Sequence, residues 1–346
     1  MKESVLLLVS GGIDSSVTAY ILLKQGFDVQ GLFLRMTGLP QEEKALERTL
    51  RILDHLGIRL YVEDVRDKFK RSVIDYFEKS YLSGLTPNCC CICNLTVKVQ
   101  TGLGFLERLG MDILATGHYA RIRKEERPLL LSGRDPKKDQ SYFLHQLGTR
   151  ALERMILPLG GMFKEDVKKL AENVGLSRLV ESESQDICFF KGDYRTYLKK
   201  RSKVFSQPGP IVTIDGQLVG THQGVCGYTV GQRRGLGISD AAPFYVVEIK
   251  ARENVIVVGK KKDLLKKEAF VEDINWIVEP EAYPSLRFYV KIRSRHKAAP
   301  ATLTFLGRDK TRVKVQFDEA QRAITPGQFA VFYAGQVVVG GGRICA

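Results

Sequence analysis

No apolar run in this chain approaches the roughly 18 to 20 residues needed to cross a bilayer, so nothing in it reads as a membrane anchor. The apolar stretch after Met1-Lys2-Glu3-Ser4 enters a Gly-Gly turn without a small-residue cleavage site. A buried strand in a cytoplasmic protein is therefore expected, not a signal peptide. Internal repeats and low-complexity tracts are absent. Acidic residues are in deficit: 39 Asp and Glu against 53 Lys and Arg leave a formal charge of +14. That imbalance argues for a polyanionic partner, because each phosphate neutralised releases a condensed counterion. Cysteines number seven, an odd count that argues against a structural disulfide framework in a cytoplasmic chain. Catalysis, metal binding and simple burial remain open for them.

What is present divides the 346 residues into two or three domains. "SVLLLV" (Ser4–Val9) has the length and continuity of a strand buried on both faces. "SSVTAYILLKQG" reads as a helix stopped by Gly26, "DVQGLFLRM" as the next strand, and "EEKALERTLRILDHLG" as a helix with Leu46, Leu50 and Leu53 on one face. "RLYVED", a helix from Lys68 to Leu82, "KVQTGLGFLERLG" and "DILATG" continue the rhythm. The fold class expected is a doubly wound α/β domain, with its ligand crevice at the carboxyl ends of the strands. The texture changes near residue 200 at "KKRSKVFSQPGP". Beyond it, short alternating runs such as "GPIVTIDGQLVG", "LRFYVKIR" and "AVFYAGQVVVGGGRI" predict one or two small antiparallel β domains in the form of barrels. The boundaries adopted are 1–200, 201–265 and 266–346.

"VSGGIDSS" (Val9–Ser16) joins the first strand to the first helix. Gly11 and Gly12 admit close backbone approach, and the helix N-terminus with the hydroxyls of Ser10, Ser15 and Ser16 suits an anion. Asp14 makes sense there if it holds Mg²⁺ against phosphates. The string is neither G-x-G-x-x-G nor G-x-x-x-x-G-K-[ST]. It resembles the S-G-G-x-D-S signature of the ATP-pyrophosphatase, or PP-loop, superfamily, which activates a carbonyl oxygen by adenylation and releases pyrophosphate.

Further strings narrow that superfamily: "TPNCCCICN" (Thr86–Asn94), "ATGHYAR" (Ala115–Arg121), "KDQSYFL" (Lys138–Leu144), "SQDICFF" (Ser184–Phe190), "GQRRGLGI" (Gly231–Ile238) and "TPGQFAVFY" (Thr325–Tyr333). In order, from residue 5 to about 340, they resemble the bacterial tRNA-uridine 2-sulfurtransferases, the MnmA family. The resemblance implies a PP-loop domain followed by two small β domains, the last a β-barrel that binds tRNA. It implies 2-thiolation of the wobble uridine of tRNAs for Lys, Glu and Gln, with ATP and Mg²⁺ adenylating the C2 oxygen and sulfur displacing AMP. A cysteine desulfurase or a sulfur-relay protein would donate the sulfur; DNA and membranes are not expected as partners. By the same resemblance Leu8, Val9, Ser10, Gly11, Gly12, Ile13, Asp14 and Ser15 hold the phosphates, Leu34 sits by the adenine, and Gly117 contacts the nucleotide. Asn88, Cys89 and Cys90 face the target base, while His118, Lys138, Asp139, Gln140, Arg293, Ser294 and Gln328 match tRNA-contacting positions. Cys93 matches the nucleophile and Cys188 the persulfide carrier, which release sulfur by forming a disulfide.

The chemistry asks for the same parts. Turning C=O into C=S needs an activated oxygen and a soft nucleophile, and a thiolate-derived sulfur supplies the second. This chain departs from much of the family, which has Pro at the place of Cys89 and in some members Asp at that of Cys90. Cys90 and Cys93 thus form C-x-x-C, with Cys188 as a third thiol on the same domain. Three such cysteines resemble the ligand set of tRNA thiolases that hold a 4Fe–4S cluster with one open iron. A persulfide pair accounts for two of the three; a cluster accounts for all. A zinc site wants a fourth ligand, for which His118 is the nearest in sequence. Cys89 receives no role beyond its place facing the base, Cys91 receives none, and Cys226 and Cys345 read as buried or inert thiols. His55, His145, His222 and His296 read as surface or packing residues, and "GKKKDLLKKE" as a solvated run or an RNA patch. Two other functions share the turn: a PP-loop ligase acting on a small carbonyl compound, and an RNA-binding protein with a nucleotide switch. The ligase reading gives no reason for Cys93, Cys188 or the β domains, and pyrophosphate release that depends on tRNA would exclude the switch.

Overall fold

The computed structural model describes residues 2–179, 187–201, 206–238 and 240–345. Ser184, Gln185 and Asp186 of the SQDICFF string, and residues 202–205 of the expected boundary, lie outside the described residues. The chain forms two compact units: Met1–Val73, Cys90–Phe189 and Gly335–Val339 in the first, and Ile74–Cys89, Phe190–Ala334 and Gly340–Ala346 in the second.

Five parallel strands build the first unit: β1 (Ser4–Val9), β2 (Asp28–Arg35), β3 (Leu60–Asp64), β4 (Ile113–Ala115) and β7 (Met155–Ile156), in the order β3-β2-β1-β4-β7. The inner strands β1, β2 and β4 are apolar and largely buried, as βαβ crossovers require, whereas the edge strand β3 has no buried residue and leaves Val62 44% exposed. The order reverses at β1, whose neighbours are β2 and β4, so the loops leaving β1 and β4 diverge and open a crevice there. A hairpin of β5 (Ala120–Arg123) and β6 (Leu129–Ser132), absent from the sequence expectations, pairs through Leu131 with Val337 of the 335–339 segment.

The first helix, Ile13–Lys24, buries Val17, Ala19 and Leu22 completely, and Gly26 follows it at φ 88°. On the helix Pro40–His55 the expected stripe needs correction. Leu50 is 49% exposed, whereas Thr49, Ile52 and Leu53 are buried. The helix is rotated to bring Ala45 and Thr49 onto Gly11, where a Cβ would lie 2.5 Å from the Ala45 carbonyl oxygen. The expected helix from Lys68 to Leu82 is interrupted, running as Arg66–Phe69, a π-helical turn Lys70–Ile74, and Asp75–Leu82. A second π-helical segment, Asn94–Val99, divides the helix that carries the cysteines.

That long helix, Cys89–Leu109, is apolar enough by length and composition to cross a membrane, in contrast to the reading of individual runs, and half of its most apolar window is buried inside the protein. Gly102 lies against Leu114 of β4 and Leu8 of β1, so in this fold the helix serves as a core element.

The second unit is largely antiparallel. β8 (Gly209–Thr213), β9 (Leu218–His222), β10 (Tyr245–Lys250) and β11 (Val255–Gly259) form a four-stranded sheet, β10-β11-β8-β9. β12 (Leu265–Trp276), β13 (Arg287–Lys291), β14 (Ala299–Phe305), β15 (Val313–Arg322), β16 (Phe329–Ala334) and β17 (Val337–Ile344) follow the order β12-β15-β14-β13-β16-β17. β12 also pairs with β17, which closes a six-stranded barrel. Alternate residues Phe288, Val290, Ala301, Leu303, Val313, Val315 and Phe317 fill its interior, at most 2% exposed. The basic run GKKKDLLKKE is mostly the 3-10 turn Lys261–Leu264 and the start of β12.

Candidate active site: a phosphate turn and a thiol cluster

The turn after β1 is preorganised. Gly11 takes φ 70°, and Gly12 caps the helix Ile13–Lys24 in an extended conformation. The Ser15 and Ser16 hydroxyls each donate to the Gly12 carbonyl at 3.0 Å, and the Ser10 amide donates to Ser15 Oγ at 3.3 Å. Gly11 answers to packing against the neighbouring helix, while the position of Gly12 is the more open of the two. Gly117, at the end of β4, abuts the same helix N-terminus. A Cβ there would stand 3.2 Å from the Asp14 carbonyl carbon and 3.3 Å from the Ser15 amide nitrogen. The expected nucleotide residues after β1 and β4 are therefore neighbours, whereas Leu34 is 6% exposed near the end of β2.

Asp14 is held by two residues that the motifs did not single out. Tyr119 Oη and Lys164 Nζ both donate to Asp14 Oδ1 at 2.7 Å. The Lys164 side chain is 5% exposed and that of Asp14 32%, and the ammonium lies 5.6 Å from the Tyr119 ring centre. The carboxylate is oriented through one oxygen, leaving Oδ2 outside both contacts. Tyr119 belonged to the quoted ATGHYAR string; Lys164, at the start of the helix Lys164–Asn173, carried no signal beyond its charge.

The cysteine string folds as the helix Cys89–Cys93, whose spacing sorts the thiols. Cys90 and Cys93 are three apart and share a face. Cys91 is fully buried, with its thiol 3.9 Å from the Tyr142 carbonyl oxygen, and the Asn94 amide donates to the Phe143 carbonyl at 3.3 Å. Cys91 thus anchors the helix. Cys89 is buried and acts electrostatically on Tyr81. All seven cysteines are free thiols.

Cys188 comes back to Cys90 and Cys93 although almost a hundred residues separate it from them in sequence. Desolvation around the sulfur, with the charges of Cys93 and Cys90, pushes the Cys188 thiol up to about 12, although the residue as a whole is exposed to solvent. Burial and the charge of Cys90 likewise raise Cys93, and Lys98 opposes both shifts. Lys98 follows Cys93 by five residues along the π-helical segment Asn94–Val99, whose i→i+5 pattern turns position 98 back toward the face of position 93. Sequence reasoning missed Lys98, because an α-helix would carry it to another face. Lys98 also acts on His118, which burial and that charge lower to about 3; the imidazole is neutral, its Nδ1 2.8 Å from the Thr116 hydroxyl.

The expected tRNA contacts are more dispersed. Asp139 Oδ1 accepts from the Gly133 and Ser141 amides at 3.0 Å, and Gln140 Oε1 accepts from the Tyr119 amide at 2.9 Å. Both side chains shape their own loop, and Lys138 is half-buried beside them. In the second unit Gln328 Nε2 donates to the Thr86 carbonyl at 2.9 Å and the Thr86 amide donates to that of Pro326 at 2.9 Å, fixing the segment that leads through Asn88. Arg293 Nη1 donates to the Arg322 carbonyl at 3.2 Å, with half-buried Ser294 next to it.

Residues 3–192 match the family model described as tRNA methyl transferase HUP domain, residues 195–260 the tRNA methyl transferase PRC-barrel domain, and residues 266–344 the aminomethyltransferase beta-barrel domain. Fold and turn together define a PP-loop enzyme carrying two accessory β domains. The chain is 42% identical to the tRNA-specific 2-thiouridylase MnmA of Clostridioides difficile, covering 99% of this chain and 98% of that one. It is 43% identical to the protein of the same name from Syntrophotalea carbinolica, over 99% and 100%, and 41% identical to that of Moorella thermoacetica, over 97% and 98%. The chain belongs to the MnmA family of tRNA-specific 2-thiouridylases.

Proposed function

We propose that this enzyme replaces the C2 oxygen of the wobble uridine with sulfur in tRNAs for Lys, Glu and Gln, at the expense of ATP, in the cytoplasm. One observation carries the reading: Cys90, Cys93 and Cys188 are electrostatically coupled in the same α/β unit as the SGGIDSS turn. The first span, to about residue 200, is the catalytic domain; 201–265 and 266–346 are the accessory domains, the latter with Arg293, Ser294 and Gln328 toward tRNA.

Leu8 to Ser15 cradle the phosphates, Leu34 borders the adenine, and Gly117 leaves the Ser15 amide uncovered. Asp14 has an oxygen to spare for Mg²⁺, and Lys164 and Tyr119 keep that carboxylate aimed. Attack of the uridine C2 oxygen on the α-phosphorus then forms a uridine adenylate and expels pyrophosphate. Asn88, Cys89 and Cys90 border the base, His118 offers a neutral imidazole beside it, and Lys138, Asp139 and Gln140 form a loop toward the RNA.

Sulfur has two routes. In the first, Cys188 carries a persulfide from a desulfurase or a relay protein. Its terminal sulfur attacks C2 and AMP departs. Cys93 then attacks the Cys188 sulfur, the S–S bond to the transferred atom breaks, and a Cys93–Cys188 disulfide remains for a dithiol reductant to open. In the second, Cys90, Cys93 and Cys188 would hold a 4Fe–4S cluster, whose chemistry would be to present hydrosulfide-level sulfur to the activated base. Three thiols are the donor number such a cluster takes, although among the described residues no three His, Cys, Asp or Glu side chains are gathered where they could hold a metal ion. Burial and mutual repulsion hold two of these thiols protonated, and a cationic centre provides the counter-charge that would make them thiolates.

Iron and sulfide analysis of anaerobically purified protein, together with Cys90→Ser, tests the choice. Severe loss of thiolation with loss of iron supports the cluster; full thiolation by iron-free protein given a persulfide donor removes it.

A further inference from the structure

A cavity of about 200 Å³ in the second unit belongs to none of the machinery above. It is lined by Arg195, Lys199, Gln223, Gly227, Tyr228 and Gly235, with Leu198 and buried Cys226 behind them. Small-molecule sites run to roughly 300–1,000 Å³, so this one is sized for a group such as a phosphate and not for a nucleoside.

Its cation is built in. Arg195 and Lys199 are four apart on the helix Tyr194–Arg201 and share a face. Arg195 lies between two glycines: a Cβ at Gly227 would stand 3.6 Å from its Cδ, and one at Gly235 would stand 3.3 Å from its Nη1. Arg195 Nε is buried without a hydrogen-bond acceptor. The carboxylate facing it, Asp193 Oδ1, stays 3.6 Å away and already accepts from the Arg195 amide at 2.9 Å. The Nε–H is the unsatisfied donor of a side chain that is otherwise 39% exposed and lies 5.8 Å over the Tyr194 ring, and an acceptor supplied by a ligand would satisfy it.

Gly235 also belongs to the GQRRGLGI string, which the catalytic reading leaves unused. Gln232 ties that turn together, accepting from the Thr229 amide at 3.2 Å and donating to the Arg234 carbonyl at 3.0 Å. The Gly231 amide donates to the Val246 carbonyl at 2.8 Å, pinning the turn to β10. Arg233 and Arg234 are exposed, and no ion pair engages them among the described residues. Lys199 and Lys200 are exposed as well.

We propose that this cavity seats a backbone phosphodiester of the RNA substrate, with Arg195 and Lys199 as its ligands and Arg233 and Arg234 on the flanking phosphates. The inference rests on the substrate being RNA and adds where its backbone is gripped. Phosphate contacts of this kind set register and affinity without reading sequence.

The test is binding of an unmodified tRNA transcript to the full chain at several KCl concentrations. Arg195→Gln with Lys199→Gln is expected to weaken binding about 10-fold near 0.1 M salt and to lower the slope of log K against log salt by about one to two. Turnover at saturating tRNA stays unchanged. If Arg195→Gln fails to fold, Lys199→Gln, at an exposed position, decides through a loss of about 3-fold and a slope change of about one. Wild-type affinity and slope in a folded variant overturn the proposal. So does a variant that loses only a stabilisation by inorganic phosphate, seen as a melting shift, while its RNA slope is kept. Wild-type protein that binds tRNA with this slope but never thiolates it leaves the site standing and removes the catalytic reading instead.

Discussion

At the end of β1 the hydroxyls of Ser10, Ser15 and Ser16 and the carboxylate of Asp14 already have partners. Around Cys93 the thiols of Cys90 and Cys188 raise its proton affinity or have theirs raised, and Lys98 is the opposing charge. The two places share an α/β unit and differ in how complete they are without a ligand. A turn whose bonds are closed in advance spends little on reorganisation when phosphate arrives. Cys93 and Cys188, by contrast, are held toward their protonated forms, with Lys98 the opposing charge.

The largest effect separating them is expected from Cys93→Ser or Cys188→Ser. Each should abolish thiolation while leaving ATP affinity within about 2-fold, as read by nucleoside analysis and nucleotide titration. Lys164→Met strikes the other place. It strips the counter-charge from Asp14 and should cut adenylation about 100-fold and lower stability by about 1–3 kcal/mol, without altering thiol reactivity. Adenylation at wild-type rate would show that the Asp14 clamp is only structural. Gly117→Ala comes next. Its methyl would sit in the tight space against the Ser15 amide and weaken ATP binding about 10-fold, with tRNA affinity unchanged.

A further effect concerns pH. His118 is lowered to about 3 and His145 to about 4, both chiefly by burial. Below the ordinary histidine value near 6.5 the unfolded chain therefore binds more protons than the folded one. Stability should be constant above about pH 7 and fall as pH drops from about 6.5 toward 4. Histidine resonances of these two residues that titrated between pH 6 and 7 would contradict the burial argument.

The phosphate turn was legible in sequence because it is local. A strand, two glycines and a helix start lie within a dozen residues, and their dihedral needs are written in residue type. The alternating strands of the barrel were legible for the same reason. The helix Pro40–His55 was misjudged at Leu50, since the neighbour that selects its buried face, Gly11, lies in a different element. The β5–β6 hairpin escaped notice because its strands are only four residues each. Lys164 and Lys98 were missed for two further reasons. Lys164 is a tertiary partner 150 residues from Asp14, and Lys98 owes its place to a π-helical turn that residue spacing does not announce.

The most direct measurement is anaerobic incubation of the protein with tRNA, ATP, Mg²⁺ and a sulfur source, followed by mass analysis of the nucleosides. The account predicts 2-thiouridine at the wobble position, formed with pyrophosphate and AMP and lost in Cys93→Ser. Unmodified uridine, with ATP bound but not consumed in the presence of tRNA, would contradict it.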